Sequence, residues 1–513
     1  MKQFLSSNKL TSTNAVLIYL SIFKLILLII FAGNYGIFRD EYYYVATSKH
    51  LALGYVDLQP LSAVILAISR SIFGDSIFGI RIFSYIAGSA IVFISGLIAR
   101  EMNGSRFAQI FTAFLVIFSG VILGVSAYFS MNSFDILLSA LMFYFLIRLI
   151  NTNNQKLWLV IGLLFGIGLQ NKLTFLFLGF GLAVGLVLTK YRNQLKLKEV
   201  WIAAAIALII FLPNIIWQFA NNFPTLEFMH NAAAYKNKPM SIGEFSLGSL
   251  MELNPAFILF PFTAIYFLFF NKEGRAYKLI GWIFISVFLV FAFDNGKPYY
   301  MGVLFPVMLA AGVVGADYLI DKYLRNFVRL ILVIVIIPFV FFTAPFSSPI
   351  LNVDTFIKYS ETLGIKPESG ERSELGLLPQ FYADRFGWED MVKKVALAYN
   401  KLSPEEKKEA LIFGQNYGEA GAIDFYRKKY NLPPAISSHN NYWIWGYPKN
   451  YKGKVLIVIG SNYKDNSEFF NDVELAASHH NKYGMFYENV DIFICRDPKM
   501  PFKEIWIKIK HFI

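Results

Sequence analysis

The chain has 513 residues, 56% of them hydrophobic and only 16% charged, with a mean hydropathy of +0.48, which excludes an ordinary soluble enzyme and points to a polytopic membrane protein. The net charge of +12 sits mainly in short turns between apolar runs, as a membrane topology signal does, and no basic tract marks a nucleic-acid partner. The single cysteine, Cys495, allows no intramolecular disulfide and offers no zinc pattern.

Lys2 and Lys9 precede the first apolar run, 14–33, without a small-residue cleavage pattern, so this run is expected to be a retained first span. Arg39-Asp40-Glu41-Tyr42-Tyr43-Tyr44 follows directly, placing two carboxylates and three tyrosines where lipid headgroups lie. The composition predicts an interfacial helix over 40–54, ending at Gly54, with Asp40 in its first turn, where the helix dipole favours an ionised carboxylate. Acidic first turns are also common caps, so a structural role for Asp40 and Glu41 stands beside a catalytic one. A second interfacial helix is expected over 60–74, a stretch too short to span that carries Arg70.

Further spans are expected near 76–99, 106–123, 132–150, 157–170, 173–189, 200–217, 250–270, 279–293, 299–319 and 328–345, about eleven in all with the first. One set of turns carries Arg100 and Arg106, Arg148 and Lys156, Lys190 to Lys198, Lys272 to Lys278, and Lys322 to Arg329, which marks those turns as cytoplasmic. The other turns hold Asp40, the stretch 124–131, Lys172, the segment 218–249 and Asp294 to Tyr300, so these are expected to converge on the outer face.

Within that set, Asn132 and Asp135 share one helix face; an ionisable group in a span favours a polar interior over lipid, and a first-turn aspartate near the interface is an equally good reading of Asp135. Arg39, Lys172, Lys236, Lys238 and Lys297 are candidate anion binders, with Lys297 held in Gly296-Lys297-Pro298-Tyr299-Tyr300 beside two aromatic rings. Lys236 and Lys238 are equally well read as lysines snorkelling at a helix end. His230, in a segment read as a lid, matches a surface histidine better than a ligand.

After about residue 346 the spanning runs cease, and 347–513 is expected to form an extracytoplasmic α/β domain appended to a transmembrane domain over 1–346. Strands are expected at 411–413, 455–459 and 490–494, and helices over 386–400, 418–430 and 467–480.

Phe38 to Tyr44, Gly54-Tyr55-Val56-Asp57-Leu58-Gln59-Pro60-Leu61, Ser130 to Asp135, Gly168 to Lys172, Leu212-Pro213-Asn214, Phe223 to Phe228, Gly296 to Tyr300 and Tyr417 to Ala422 together resemble the protein O-mannosyltransferase-like superfamily of GT-C fold glycosyltransferases. That superfamily includes the bacterial lipid A aminoarabinose transferase. The resemblance implies a multi-pass enzyme of the bacterial plasma membrane that takes sugar from a polyprenyl-phosphate donor and gives it to a lipid, glycan or protein acceptor. It casts Asp40 as the catalytic acidic residue, with Glu41 and Asp135 in support. Arg39, Tyr43, Asn132, Lys172, Lys297, Tyr299 and Tyr300 are then candidate substrate contacts. No cofactor is expected. Relatives often carry histidine, glutamate or lysine before the proline of the first-loop motif, where this chain has Leu58 and Gln59, so no metal is expected there either. Two rival functions share the same features: a transporter or flippase of lipid-linked sugars, and a polymerase or ligase of surface polysaccharide.

Overall fold

The computed structural model describes residues 9–320, 324–369 and 371–513; Lys2, the Lys9 side chain and Lys322 fall outside them. Helix α1 (Thr13–Phe31) starts where the Ser12 hydroxyl accepts the Ala15 N–H, and its apolar length carries the chain to the Asp40 stretch. Helix α2 (Arg39–Lys49) begins where the Glu41 carboxylate accepts the Phe38 N–H at 2.8 Å. The helix expected over 40–54 stops at Lys49 because Tyr55 folds back. Its hydroxyl accepts the Ala52 N–H and donates to the His50 carbonyl, both at 3.1 Å, which satisfies the frayed end. Helix α3 (Pro60–Phe73) has proline in its first turn, and Ser76 caps helix α4 (Ile77–Glu101).

Among the described residues, six helices are long and apolar enough to cross a membrane, or up to nine if each of three bent pairs is one span. The pairs break at 118–119, 188–189 and Asn254, with bends of 57°, 110° and 100°. The eleven expected runs fall mainly on helix, with those at 157–170 and 299–319 carrying helices of only 13 and 15 residues, Leu157–Leu169 and Phe305–Leu319. The polytopic helical architecture is therefore as the composition implies.

The chain after 347 builds a five-stranded sheet from β1 (Ala410–Gly414), β2 (Ala435–Ser437), β3 (Val455–Ile459), β4 (Phe470–Ser478) and β5 (Asp491–Pro498), in the order β2-β1-β3-β5-β4. The first three strands are parallel, and β5 and β4 close the sheet antiparallel. The helix expected over 467–480 ends at Phe469, and the remainder is β4. Its polar residues Asn471, Asp472 and Glu474 give a weak strand signal, and pairing with β5 imposes the extended form on an exposed edge.

The sheet region does not hang free of the membrane helices. Ile37, Tyr42 and Val45 share one buried cluster with Trp388, Ile412, Ala420 and Ile457. The helix Tyr417–Tyr430 lies across α2 at a distance only glycine permits. A Cβ on Gly421 would come within 2.9 Å of the Tyr42 backbone, and one on Gly418 within 2.5 Å of Arg39 Cγ.

Candidate active site

Adjacent residues in a helix point about 100° apart, and the two carboxylates of α2 diverge accordingly. The Glu41 side chain is fully buried, held by Arg81 through Nε at 2.7 Å and Nη2 at 2.6 Å, and it also accepts the Phe38 and Phe129 N–H groups. Arg81 in turn donates to the Ala32 and Gly36 carbonyls, so one ion pair ties α2, α4, the end of α1 and the turn before the 131–152 helix. Glu41, expected as a supporting group, thus contacts Arg81 and backbone rather than open space. Arg81 was readable as an expensive charge inside a span that needed a carboxylate.

Asp40 points the other way, with 36% of its side chain exposed. One oxygen, Oδ1, accepts from the Tyr417 hydroxyl at 3.0 Å and lies 3.6 Å from Arg39 Nε. Arg39 sits over the Tyr417 and Tyr487 rings and 3.8 Å from Asp384. Burial pushes the Asp384 carboxyl up to about 6, against the pull of Arg39. Residues of the sheet region thereby hold both Arg39 and Asp40.

Three further groups interact with this carboxylate electrostatically, through Tyr299, through Lys236 and Lys297, and through Asp57. In the first, Lys172 donates to Asn132 Oδ1 at 2.8 Å and lies 4.5 Å from the Tyr300 ring centre and 5.5 Å from that of Tyr299. This brings four of the expected substrate contacts together. Asp135 is buried near Lys172 and Thr174, with Oδ1 accepting no hydrogen bond.

In the second group, Lys297 pairs with Glu371 at 2.9 Å and Lys236 with the same carboxylate at 3.9 Å. Burial alone would raise Glu371, but the two lysines hold it well below the usual carboxylate range. Burial works against the charge on Lys297, yet Glu371 beside it leaves the ammonium above its ordinary value. Lys236, by contrast, is pulled down by burial. Lys236 feels Arg39, Lys297 and Asp40 electrostatically, and Lys297 also feels Asp40. Of the two lysines read as snorkelling, Lys236 enters this cluster and Lys238 is exposed.

The third group is built on Asp57, which accepts from Tyr43 at 2.7 Å and from Asn440 at 2.8 Å. Burial raises its carboxyl to about 6. Tyr43 stacks on Tyr417 with ring centres 4.5 Å apart and is itself buried, so it supports the site's wall from behind. His230 is exposed on the 224–231 helix, and Leu58 and Gln59 are buried. Among the described residues, no group of three histidine, cysteine, aspartate or glutamate side chains is placed to hold a metal ion.

The arrangement is a partly open carboxylate with Arg39 beside it, Lys236 and Lys297 in its electrostatic field, and Lys172 held against the Tyr299 and Tyr300 rings. It can accept a proton from a hydroxyl and hold an anion at one surface. The sequence reading did not single out Glu371, Asp384 or Arg81, and it reached Tyr417 only as part of a matched motif; all of them come from segments distant from Asp40.

Comparison with known proteins follows the same outline. Residues 57–217 match the family described as dolichyl-phosphate-mannose-protein mannosyltransferase. Lipid A galacturonosyltransferase RgtD of Rhizobium johnstonii is 24% identical over 257 residues, covering 49% of this chain and 54% of that protein, so the match spans about half of the relative's length. ArnT from Cupriavidus metallidurans bound to undecaprenyl phosphate superposes with a TM-score of 0.61 at 12% identity, covering 93% of this chain and 97% of that one. The apo form of the same protein gives 0.59 at 13% identity over the same shares. These matches bear out the resemblance to the protein O-mannosyltransferase-like superfamily, and the fold is that of the GT-C membrane proteins.

Proposed function

We propose that this GT-C fold membrane protein, related to the protein O-mannosyltransferase-like superfamily, is a glycosyltransferase that moves a sugar from a polyprenyl-phosphate donor to an acceptor hydroxyl on the Asp40 face. The observation that carries the reading is the partly open Asp40 carboxylate, fixed by Tyr417, with Arg39 beside it and Lys236 and Lys297 in its electrostatic field. The matched family's description names a lipid-phosphate sugar, and the superposed ArnT holds undecaprenyl phosphate, which supports a polyprenyl-phosphate donor here.

A hydroxyl is a weak nucleophile, whereas a phosphate is already a competent leaving group, so the step needs a base more than an acid. Asp40 takes the acceptor hydroxyl proton as that oxygen forms its bond to the anomeric carbon. The bond from anomeric carbon to phosphate oxygen breaks, and its electron pair leaves with the phosphate. Lys172, positioned by Asn132 and the Tyr299 and Tyr300 rings, meets the negative charge developing there, with Lys297, Lys236 and Arg39 adding to the field. Glu41 and Arg81 hold α2 so that Asp40 keeps its aim. Asp135 supports Lys172 from the buried side.

The test is to supply the purified, reconstituted protein with a panel of labelled polyprenyl-phosphate sugars and an extracted membrane acceptor fraction. Transfer of label to the acceptor is expected, with transfer lost in Asp40→Asn. Label that crosses the bilayer while still on its lipid, at a rate indifferent to Asp40, would instead mark a flippase.

A further inference from the structure

Helices Thr174–Val187 and Lys278–Phe293 each have one end at the site, next to Lys172 and Asp294 to Lys297 respectively. Their lengths of 14 and 16 residues carry the opposite ends about 20 Å away. There the chain turns by 110° into the 3-10 segment Lys190–Lys196, and the Tyr191 hydroxyl donates to the Ala276 carbonyl at 2.9 Å, joining the two turns. Between them lies a cavity of about 680 Å³.

Five cations line it, Lys190, Arg192, Lys272, Arg275 and Lys278, and no carboxylate does. Glu273 is on the same turn but is exposed outside the lining. Val187 and Leu188, both exposed, supply an apolar wall continuous with the membrane helix. Positive charge at turns on this side is expected from topology alone, but several cations of neighbouring turns bond within the protein. Arg148 pairs with Glu101, Arg329 with Asp317, and Arg100 and Arg106 bond Asn14 and the Thr11 carbonyl. The five cavity cations form no ion pair among the described residues.

We infer that this cavity binds the phosphate headgroup of an anionic phospholipid, with its acyl chains lying along Val187 and Leu188. A concave, multiply cationic, carboxylate-free surface beside an apolar wall matches a lipid anion in both of its parts, whereas a free phosphate would use only the cations. The site is separate from the Asp40 cluster and stands whatever reaction that cluster performs.

The test reads retained lipid by native mass spectrometry after the full chain is taken from vesicles of phosphatidylcholine with or without phosphatidylglycerol. Wild type should keep phosphatidylglycerol selectively. Lys190→Gln with Arg275→Gln and Lys278→Gln should lower that retention by about tenfold or more, and the single charge reversal Arg192→Glu should lower it as well. Lys156→Gln with Lys198→Gln, two exposed cations outside the cavity, should leave retention unchanged. Equal loss in the cavity and control variants would overturn the proposal in favour of diffuse surface attraction. No loss in either, or displacement of the lipid by millimolar inorganic phosphate alone, would overturn it too.

Discussion

At the scale of single residues, Asp40 and Glu41 show that adjacent carboxylates acquire different surroundings from the direction each faces. Asp40→Asn keeps the shape and removes the basicity, so turnover should fall by about 10²–10⁴-fold with donor affinity little changed, read from kcat and from donor binding separately. Tyr417→Phe deletes the 3.0 Å hydrogen bond that aims Asp40, and a loss of roughly tenfold in kcat with an altered pH profile is expected. The acid Asp57 makes a different prediction. Its carboxyl is raised by burial to about 6, so the folded protein binds more protons than the unfolded chain between about pH 4 and 6. Its contribution to stability is full below that window and is lost as the pH rises through it. Thermal unfolding in detergent should therefore shift upward from pH 7 to pH 5, and Asp57→Asn should flatten part of that slope. Asp40 was legible because it directly follows the first span. Tyr417 was visible only within a matched motif, since 377 residues separate it from the carboxylate it holds and no local pattern records such a contact.

At the scale of elements, α2 is fixed from two sides by different physics. Below it, the Glu41–Arg81 pair is a buried ion pair whose partners are both fully hydrogen-bonded. Removing one partner leaves an uncompensated charge, so Arg81→Met should destabilise the protein by about 3–5 kcal/mol, measured by denaturation in micelles. The double change Arg81→Met with Glu41→Gln should recover part of the loss. Above it, Gly421 meets Tyr42 with no room for a side chain. Gly421→Val should push the 417–430 helix off α2 and lower activity more than donor binding, a difference that separate assays of the two would show. The spans were legible because a long apolar run has few other uses in a chain. Strand β4 was not, because an edge strand with polar faces takes its form from its neighbour.

At the scale of the whole molecule, the cations of one set of turns predict that Lys196 and Asn441 lie on opposite sides of the membrane. Reporter fusions at those two positions should give opposite signals, and matching signals would remove the basis for placing the site on the outer face. The segment 347–513, expected from the sequence as an appended α/β domain, also supplies side chains to the candidate site. Tyr417, Asn440, Glu371 and Asp384 reach Asp40, Asp57, Lys297 and Arg39 directly. A chain cut at 346 should therefore lose donor binding as well as transfer, which a binding assay on the truncated protein would check.

The seating of Tyr417–Tyr430 against α2 has a temporal meaning too. Asp40 leaves the ribosome early, and the residue that aims it arrives 377 positions later. At about 5–20 residues per second, this is a wait of roughly 20–75 seconds. During that interval the tyrosine-rich face of α2 lies without its cover, open to lipid and to chaperones. A ribosome that stalls before the sheet region is made releases a membrane-inserted chain with an unaimed carboxylate, so synthesis of the last third acts as the step that arms the protein.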